Sequence, residues 1–164
     1  MRKEIEKLLQ SVQKPARYAG GELNSVMKDK SKVALRYAFC FPDTYEIGMS
    51  HLGMKILYGV ANAREDTWCE RVFAPADDME ALMRANGEPL FALESGDPIK
   101  DFDMIGFTMQ YELSYTNILN MLDLAGVPLR AEDRKSLTPI VAFGGPCACN
   151  PEPVAEFADI IFLG

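Results

Sequence analysis

The chain has 164 residues, of which 48% are hydrophobic and 25% charged, and its 17 Lys and Arg against 24 Asp and Glu give a net charge of −7. These values are typical of one globular domain and exclude a long disordered chain. The acidic balance argues against a nucleic-acid or anionic-membrane partner, and no apolar run reaches the ~20 residues of a membrane span. The N-terminus lacks the apolar stretch of a signal peptide, so we expect a cytoplasmic protein.

The first predicted element is a short amphipathic helix that ends before Pro15, and a linker follows through residue 31. The segment is basic: residues 1–36 carry nine Lys or Arg and four Asp or Glu, whereas residues 37–164 carry eight and twenty. Two interpretations are open, a solvated arm, which we favour, or an arm that docks on an acidic surface such as that of its own chain. The apolar residues of the helix recur at helical spacing: Ile5, Leu8, Leu9 and Val12.

From residue 32, apolar runs that suit strands alternate with helical patterns. Strands are predicted at 33–41, 68–73, 104–108, 139–143 and 160–163, with an additional short one at 90–93. Helices are predicted at 50–62, 75–86, 114–125 and 152–157. The first of these helices is expected to bury one apolar face, formed by Met49, Leu52, Gly53, Ile56 and Val60.

This alternation predicts the fold class. Strands that alternate with helices indicate βαβ units and a parallel sheet. The strands are continuous apolar runs, which is typical of strands covered on both faces. We therefore expect an α/β domain over residues 32–164, with a doubly wound, mostly parallel sheet of the flavodoxin-like or Rossmann-like kind. The sequence stops after a strand where a closing helix would be usual, so we also expect a piece of a longer protein.

Ligands of open α/β sheets bind beyond the carboxyl ends of the strands, and three loops at this edge are rich in polar residues and glycines. Asp43 and Gly48 also suit ordinary turns, so a purely structural role is an equal alternative for them. No loop matches the dinucleotide or phosphate-binding glycine patterns, which disfavours ordinary dinucleotide and ATP binding. The candidate ligand contacts are Asp43, Tyr45, Gly48, Thr108, Gln110, Gly144 and Gly145.

No catalytic or metal-binding set is predicted. His51 is the single histidine, and the helical pattern places it on a solvated face, opposite Leu52 and Ile56. One histidine also leaves too few ligands for a closed zinc site. Buried free thiols are expected instead for Cys40, Cys69, Cys147 and Cys149.

Five short motifs together resemble the N-terminal region of cobalamin-binding-domain radical SAM proteins, and most closely an uncharacterised bacterial branch of that group. Each motif alone is loose, whereas their order and spacing are fairly specific. The motifs are FPDTYEIGMSHLG at 41–53, DMIGFT at 103–108, GGP at 144–146, NPEP at 150–153 and DIIFLG at 159–164.

The resemblance implies a Rossmann-like domain that holds cobalamin, followed in full-length members by a radical SAM barrel. That downstream domain, the implied partner, binds S-adenosylmethionine and holds a [4Fe–4S] cluster on a Cys-x-x-x-Cys-x-x-Cys motif. The motif is absent from this sequence, so we do not expect the chain to perform radical chemistry by itself.

The sequence departs from the related cobalamin domains of the methionine synthase type at one position. Those domains carry Asp-x-His-x-x-Gly, whose histidine ligates cobalt, and Tyr45 stands at the histidine position between Asp43 and Gly48. A phenol is a poor cobalt ligand at neutral pH. The domain is therefore expected either to hold cobalamin without a protein ligand or to keep the fold as a cofactor-free interaction or substrate-docking module, with Gln110 crowding the pocket. A flavin-binding domain is a third interpretation, disfavoured because the loops lack a Ser/Thr-rich phosphate cradle.

Overall fold

A computed structural model describes residues 2–163. Within this range, five strands form one sheet in which every pair of neighbouring strands is parallel. The strand order is β2-β1-β3-β4-β5, so the order reverses between β1 and β3 as in flavodoxin-like folds. The predicted α/β, doubly wound sheet is confirmed. The strands are β1 (Leu35–Phe41), β2 (Thr67–Phe73), β3 (Met104–Thr108), β4 (Ile140–Gly144) and β5 (Ile160–Ile161).

In the part of the chain that the structure describes, five α-helices accompany the sheet, and short 3₁₀ helices fill several connections. Gly87 and Gly126 end the helices that cross from β2 to β3 and from β3 to β4, with φ of 65° and 72°. Glycine adopts this left-handed conformation without a steric cost, which is why both helices stop there. The helices are α1 (Lys3–Leu9), α2 (Tyr45–Ser50), α3 (Leu52–Asn62), α4 (Asp77–Asn86) and α5 (Tyr115–Ala125).

The sheet separates two apolar clusters. Helices α1, α4 and α5 bury the larger cluster against one face, and α3 packs on β1 and β2 on the other. Ile5 and Leu8 of α1 lie in the larger cluster, so this domain itself covers the apolar stripe of α1. No helix in the described part of the chain has the length and apolarity needed to cross a membrane.

One local prediction is wrong and one helix is additional to those predicted. The helix predicted at 50–62 is present as α3, Leu52–Asn62, and the additional helix α2 precedes it, separated by the extended backbone at His51. The short helix predicted at 152–157 is present with the same bounds as a 3₁₀ helix, Glu152–Phe157. The predicted strand at 90–93 is absent: Phe91 forms one isolated antiparallel bridge with Pro98. This segment covers the outer edge of β2 through a 2.8 Å bond from Leu93 N to the Arg71 carbonyl.

The basic N-terminal arm is docked on its own chain, so the favoured interpretation of a solvated arm is wrong. Arg17 pairs with Glu46 at 2.9 Å, and Lys30 pairs with Asp97 at 3.1 Å. The ammonium of Lys28 donates to three backbone carbonyls around the C-terminal end of α3 and the start of β2. The positive arm and the acidic body are therefore complementary parts of one molecule.

Helix α3 presents the opposite face from the one predicted. Its buried residues are Met54 and Tyr58, together with Asn62 at its last turn. The large apolar side chains that we expected in the core are instead exposed: Leu52 at 68%, Ile56 at 55% and Val60 at 64%.

Specific polar contacts fix this orientation of α3. The side-chain amide of Asn62 donates to the carbonyl of Cys69 at 2.9 Å and accepts from its N–H at 3.0 Å, as a partner strand would. The hydroxyl of Tyr58 accepts from the N–H of Val26 in the arm at 2.7 Å. Hydrophobic periodicity does not register such bonds, so it selected the wrong face.

Candidate functional site

The strand order reverses between β1 and β3, and the loops after these strands meet at the carboxyl edge of the sheet. The hydroxyl of Tyr111, after β3, donates to a carboxylate oxygen of Asp43, after β1, at 2.7 Å. Open α/β sheets bind ligands at this point. Here two hollows open at the edge, one lined by Asp43 and a more apolar one lined by Thr108.

The apolar hollow, which we name the groove, lies on the α3 side of the sheet and has a volume of about 570 Å³. Its floor is made of small residues on alternate positions of two strands, Gly106 on β3 and Ala142 and Gly144 on β4. The ring of Tyr37 lies over Gly106, whereas the small residues Ala142 and Gly144 leave room above β4 for another group. Larger apolar side chains complete the walls: Phe39, Met54, Leu57 and Phe162.

Gly145 closes the carboxyl end of the groove in a conformation that requires glycine, with φ of +100°. A Cβ at this position would lie 2.8 Å from the carbonyl oxygen of Met109 and 3.1 Å from Oγ1 of Thr108. The diglycine loop therefore packs directly on the loop after β3. A Cβ on the preceding Gly144 would meet only Phe162, at 3.7 Å.

His51 lies on the wall of the groove, half-buried, and not on a solvated face as predicted. Its Nδ1 accepts a 3.1 Å hydrogen bond from the N–H of Met54 and so caps α3. In the neutral imidazole, Nε2 then carries the proton, and it faces Oε1 of Gln110 at 3.2 Å. The amide of Gln110 in turn donates to the hydroxyl of Thr108. These three side chains form a polar rim on an otherwise apolar groove.

Four of the seven predicted contacts line this groove, namely Thr108, Gln110, Gly144 and Gly145. Of the others, Asp43 belongs to a separate polar hollow of about 560 Å³. Gly48 is a packing position, since the ring of Phe73 fills the space that a Cβ would need.

Tyr45, the third of the remaining contacts, points toward the arm. Its hydroxyl donates to Glu22 at 2.8 Å, and its ring packs edge-on against Phe73. Burial and the neighbouring carboxylate of Glu22 raise the pKa of Tyr45 to about 12.

Sequence reasoning missed a buried ionic cluster between the arm and α3. Arg71 on β2 pairs with Glu94 at 2.6 Å and with Glu22 of the arm at 2.8 Å. The side chain of Glu94 is fully buried, and burial raises its pKa even though the contact with Arg71 acts in the opposite direction. Arg71 and its neighbour Glu70 interrupt the apolar run of β2, and hydrophobicity alone does not show where such charged side chains find partners. A hollow of about 640 Å³ borders it.

Within residues 2–163, no three His, Cys, Asp or Glu side chains converge as a metal site would require. The four cysteines are free thiols: Cys40, Cys69 and Cys147 are buried, as expected, whereas Cys149 is exposed. Burial raises the pKa of Cys40 well above that of an ordinary thiol. Buried, protonated thiols of this kind are chemically inert.

Comparisons with known proteins identify the family of this chain. Residues 53–164 match the family described as "Radical SAM proteins, N-terminal". The chain is also 36% identical over 78 residues to an uncharacterised protein of Methanocaldococcus jannaschii, an alignment that covers 46% of this chain and 16% of that protein. No solved structure matches the sequence. Because the family match covers more than half of the chain, this protein belongs to the family of N-terminal domains of radical SAM proteins.

Proposed function

We propose that this domain binds cobalamin without a protein ligand to cobalt. The groove residues would hold the nucleotide tail of the cofactor, and its cobalt would serve a radical SAM domain of the same polypeptide. The observation that carries the proposal is the floor of Ala142 and Gly144, small residues that leave open space over the carboxyl end of β4, beside the strand-order reversal. When bound, cobalamin supplies a cobalt centre for methyl transfer or another radical modification.

The size and chemistry of the groove suit the tail. Pockets for small molecules and cofactors usually have volumes of about 300–1,000 Å³, with mostly apolar walls and a few polar groups. The groove, at about 570 Å³, falls in this range. In its polar rim, the hydroxyl of Thr108 accepts from Gln110 and keeps its own proton to donate to a ligand, whereas Nε2 of His51 already faces Oε1 of Gln110.

The side chains near the groove support binding without a protein ligand to cobalt. Nδ1 of His51 accepts from Met54 and its Nε2 faces Gln110, so neither nitrogen has a free lone pair in the neutral ring. The phenol of Tyr45 is held by Glu22, away from the groove. These contacts favour a role for His51 in positioning the cofactor and not in ligating the metal.

A second candidate function is a cofactor-free interaction or substrate-docking module. The observation that favours it is the bridge that Gln110 makes between His51 and Thr108 across the rim of the groove. The ring of Tyr37 also covers Gly106 and occupies part of the floor. Under this alternative, the same residues fill the slot that cobalamin would need.

Titration of the chain with hydroxocobalamin, followed by its visible spectrum and by the thermal midpoint, tests the proposal. We expect saturable binding with a spectrum of the form in which the nucleotide base has left the cobalt. Gly144→Phe fills the groove from a position where a Cβ is tolerated, and it should abolish binding. Ala155→Phe, at an exposed residue outside the groove, should bind as the wild type does.

Absence of spectral change and of thermal stabilisation at saturating hydroxocobalamin would refute cobalamin binding and favour the cofactor-free module. Equal binding by the two phenylalanine variants would refute the groove as the site. A single-nitrogen splitting in the electron paramagnetic resonance spectrum of the cob(II)alamin complex, lost in His51→Gln, would refute the absence of a protein ligand.

A further inference from the structure

The hollow of about 640 Å³ beside the buried ionic cluster lies between the arm and α3, and we name it the arm pocket. It is separate from the groove: Gly53 and Leu57 of α3 line the groove, whereas Lys55 and Gly59 line the arm pocket. Its volume falls in the range of about 300–1,000 Å³ of pockets for small molecules and cofactors. The apolar side chains around it are Leu23, Val26, Met49, Met54, Tyr58 and Ala63.

One nitrogen of a buried cation in the arm pocket lacks an oxygen partner. The side chain of Arg71 is only 8% exposed and lines the pocket. Its Nε donates to Glu94 and its Nη2 to Glu22, whereas the one partner of Nη1 among residues 2–163 is the sulfur of Met49, at 3.2 Å. A thioether is a weak acceptor, and a buried donor without a strong acceptor costs free energy. An oxygen atom of a ligand in the pocket would supply that acceptor.

The surrounding charges favour an uncharged ligand oxygen. Two carboxylates, Glu22 and Glu94, already flank the single guanidinium of Arg71, so they would repel a third carboxylate brought into the pocket. A ligand ammonium would be repelled by Arg71. It would also find both oxygens of Glu22 occupied, one by the hydroxyl of Tyr45 and the other by Arg71. A carbonyl oxygen accepts a hydrogen bond without bringing a net charge into the pocket.

The walls of the arm pocket favour an aromatic body for the same ligand. Met49 and Met54 both line the pocket, and methionine side chains adapt their shape and make favourable sulfur contacts with aromatic rings. Gly59 leaves the α3 wall open, since a Cβ at this position would meet nothing within 4 Å. We propose that the arm pocket binds a neutral aromatic molecule whose carbonyl oxygen accepts a hydrogen bond from Nη1 of Arg71.

Benzamide has this chemistry, and the NMR signals of isotope-labelled methionine methyl groups report where it binds. Met49 lines the arm pocket but not the groove, Met54 lines both, and Met79 is buried in the larger apolar cluster across the sheet. Benzamide titrated to about 50 mM should shift the Met49 and Met54 signals with a Kd of about 1–10 mM, as expected of so small a ligand. The signal of Met79 should not move. Benzoate and benzylammonium, which have nearly the same shape, should each bind at least about fivefold more weakly.

Two phenylalanine variants at neighbouring positions of α3 test the location. Gly59→Phe fills the arm pocket from a position where a Cβ is tolerated, and it should abolish the Met49 shift. Val60→Phe is the matched control, since Val60 is 64% exposed and lines neither the arm pocket nor the groove. It should bind benzamide as the wild type does. Both positions are exposed, so the thermal midpoint of each variant should stay close to that of the wild type.

Arg71→Lys tests the hydrogen bond, because it keeps the positive charge and removes Nη1. It should weaken benzamide binding at least about fivefold, with the thermal midpoint as the check that the variant folds. If it does not fold, the comparison of Gly59→Phe with Val60→Phe still decides the location.

A Met49 signal that benzamide does not move overturns the proposal, as does equal binding of benzamide by the Gly59→Phe and Val60→Phe variants. Shifts of Met54 without Met49 would place the ligand in the groove and would also overturn it. Benzoate or benzylammonium that binds as tightly as benzamide overturns the assignment of a neutral carbonyl ligand.

Discussion

The hydroxyl of Tyr111 lies 2.7 Å from Oδ2 of Asp43, and this hydrogen bond spans the point where the strand order reverses. The other carboxylate oxygen of Asp43 accepts from the N–H of Thr44 at 2.7 Å, so both oxygens are occupied. The bond to Asp43 is also the main cause of the raised pKa of Tyr111. Together these contacts join the loops after β1 and β3 between the groove and the polar hollow.

Tyr111→Phe should lower the free energy of unfolding by about 1 kcal/mol. A hydrogen bond to a charged acceptor contributes about 1.5–3 kcal/mol. We expect a smaller contribution here because Tyr111 is 38% exposed and water competes for the bond. Urea unfolding measures this loss as a lower midpoint with an unchanged slope. The same substitution in an Asp43→Asn background should cost less, because the charged acceptor is already gone. Equal costs in the two backgrounds would show that the loops are not coupled through this bond.

The two adjacent glycines of the groove should respond differently to alanine. Gly145→Ala should destabilise the fold by about 1–3 kcal/mol. The φ of Gly145 is +100°, and a Cβ would lie 2.8 Å from the Met109 carbonyl oxygen, so a Cβ fits there only with strain. Gly144→Ala should lie within about 0.5 kcal/mol of the wild type, because its Cβ finds ordinary contact space. Thermal unfolding of the pair tests the contrast. A similar loss for both variants would contradict the tight approach at Gly145.

Local sequence patterns were sufficient for most of the fold. The continuous apolar runs predicted the positions of all five strands within two residues at each end, and the glycines at 87 and 126 predicted the ends of α4 and α5. These features depend on nearest neighbours along the chain: strand burial on both faces and the conformational freedom of glycine. The strand predicted at 90–93 does not form because only Leu93 bonds to the edge of β2, which makes no ladder.

The features that the sequence could not predict depend on side-chain hydrogen bonds, several of them between residues distant along the chain. The orientation of α3 depends on the bonds of Asn62 to β2 and of Tyr58 to the arm, both invisible to hydrophobic periodicity. The place of His51 on the groove depends on its capping of Met54 and on Gln110, which is 59 residues away. Four predicted contacts come together because the ends of neighbouring strands meet at one edge of a parallel sheet: Thr108, Gln110, Gly144 and Gly145. Tyr45 is separated from them by the direction of its side chain, which only the structure shows.

Arg71→Met should lower the free energy of unfolding by about 3–5 kcal/mol, because it leaves the fully buried carboxylate of Glu94 without its partner. Arg71→Met with Glu94→Gln should recover most of this loss, since the uncompensated buried charge is removed. Glu22→Gln provides the control: its side chain is 25% exposed, so it should cost less than about 1 kcal/mol. Urea unfolding of the four proteins gives these values. If the double variant is no more stable than Arg71→Met, the loss of stability comes from packing and not from the unpaired charge.

The six tyrosines should lose their phenolic protons at higher pH in the folded chain than in the unfolded one. Each pKa is raised, mainly by burial or, for Tyr111, by the bond to Asp43, and burial together with Glu22 raises that of Tyr45 to about 12. The six residues are Tyr18, Tyr37, Tyr45, Tyr58, Tyr111 and Tyr115.

The absorbance of phenolate at 295 nm measures this difference, with the chain in denaturant as the reference. Because the folded state keeps protons that the unfolded state loses near pH 10, stability is fully present below that pH and falls as the pH rises through the folded pKa values. In the folded chain, Tyr45→Phe should reduce the rise in phenolate absorbance near pH 12 and leave the rise at lower pH unchanged. Coincident titration curves for the folded and unfolded chains would mean that these phenols are as accessible to water as free tyrosine. That result would contradict the docking of the arm, whose contacts hold Tyr45 and Tyr58.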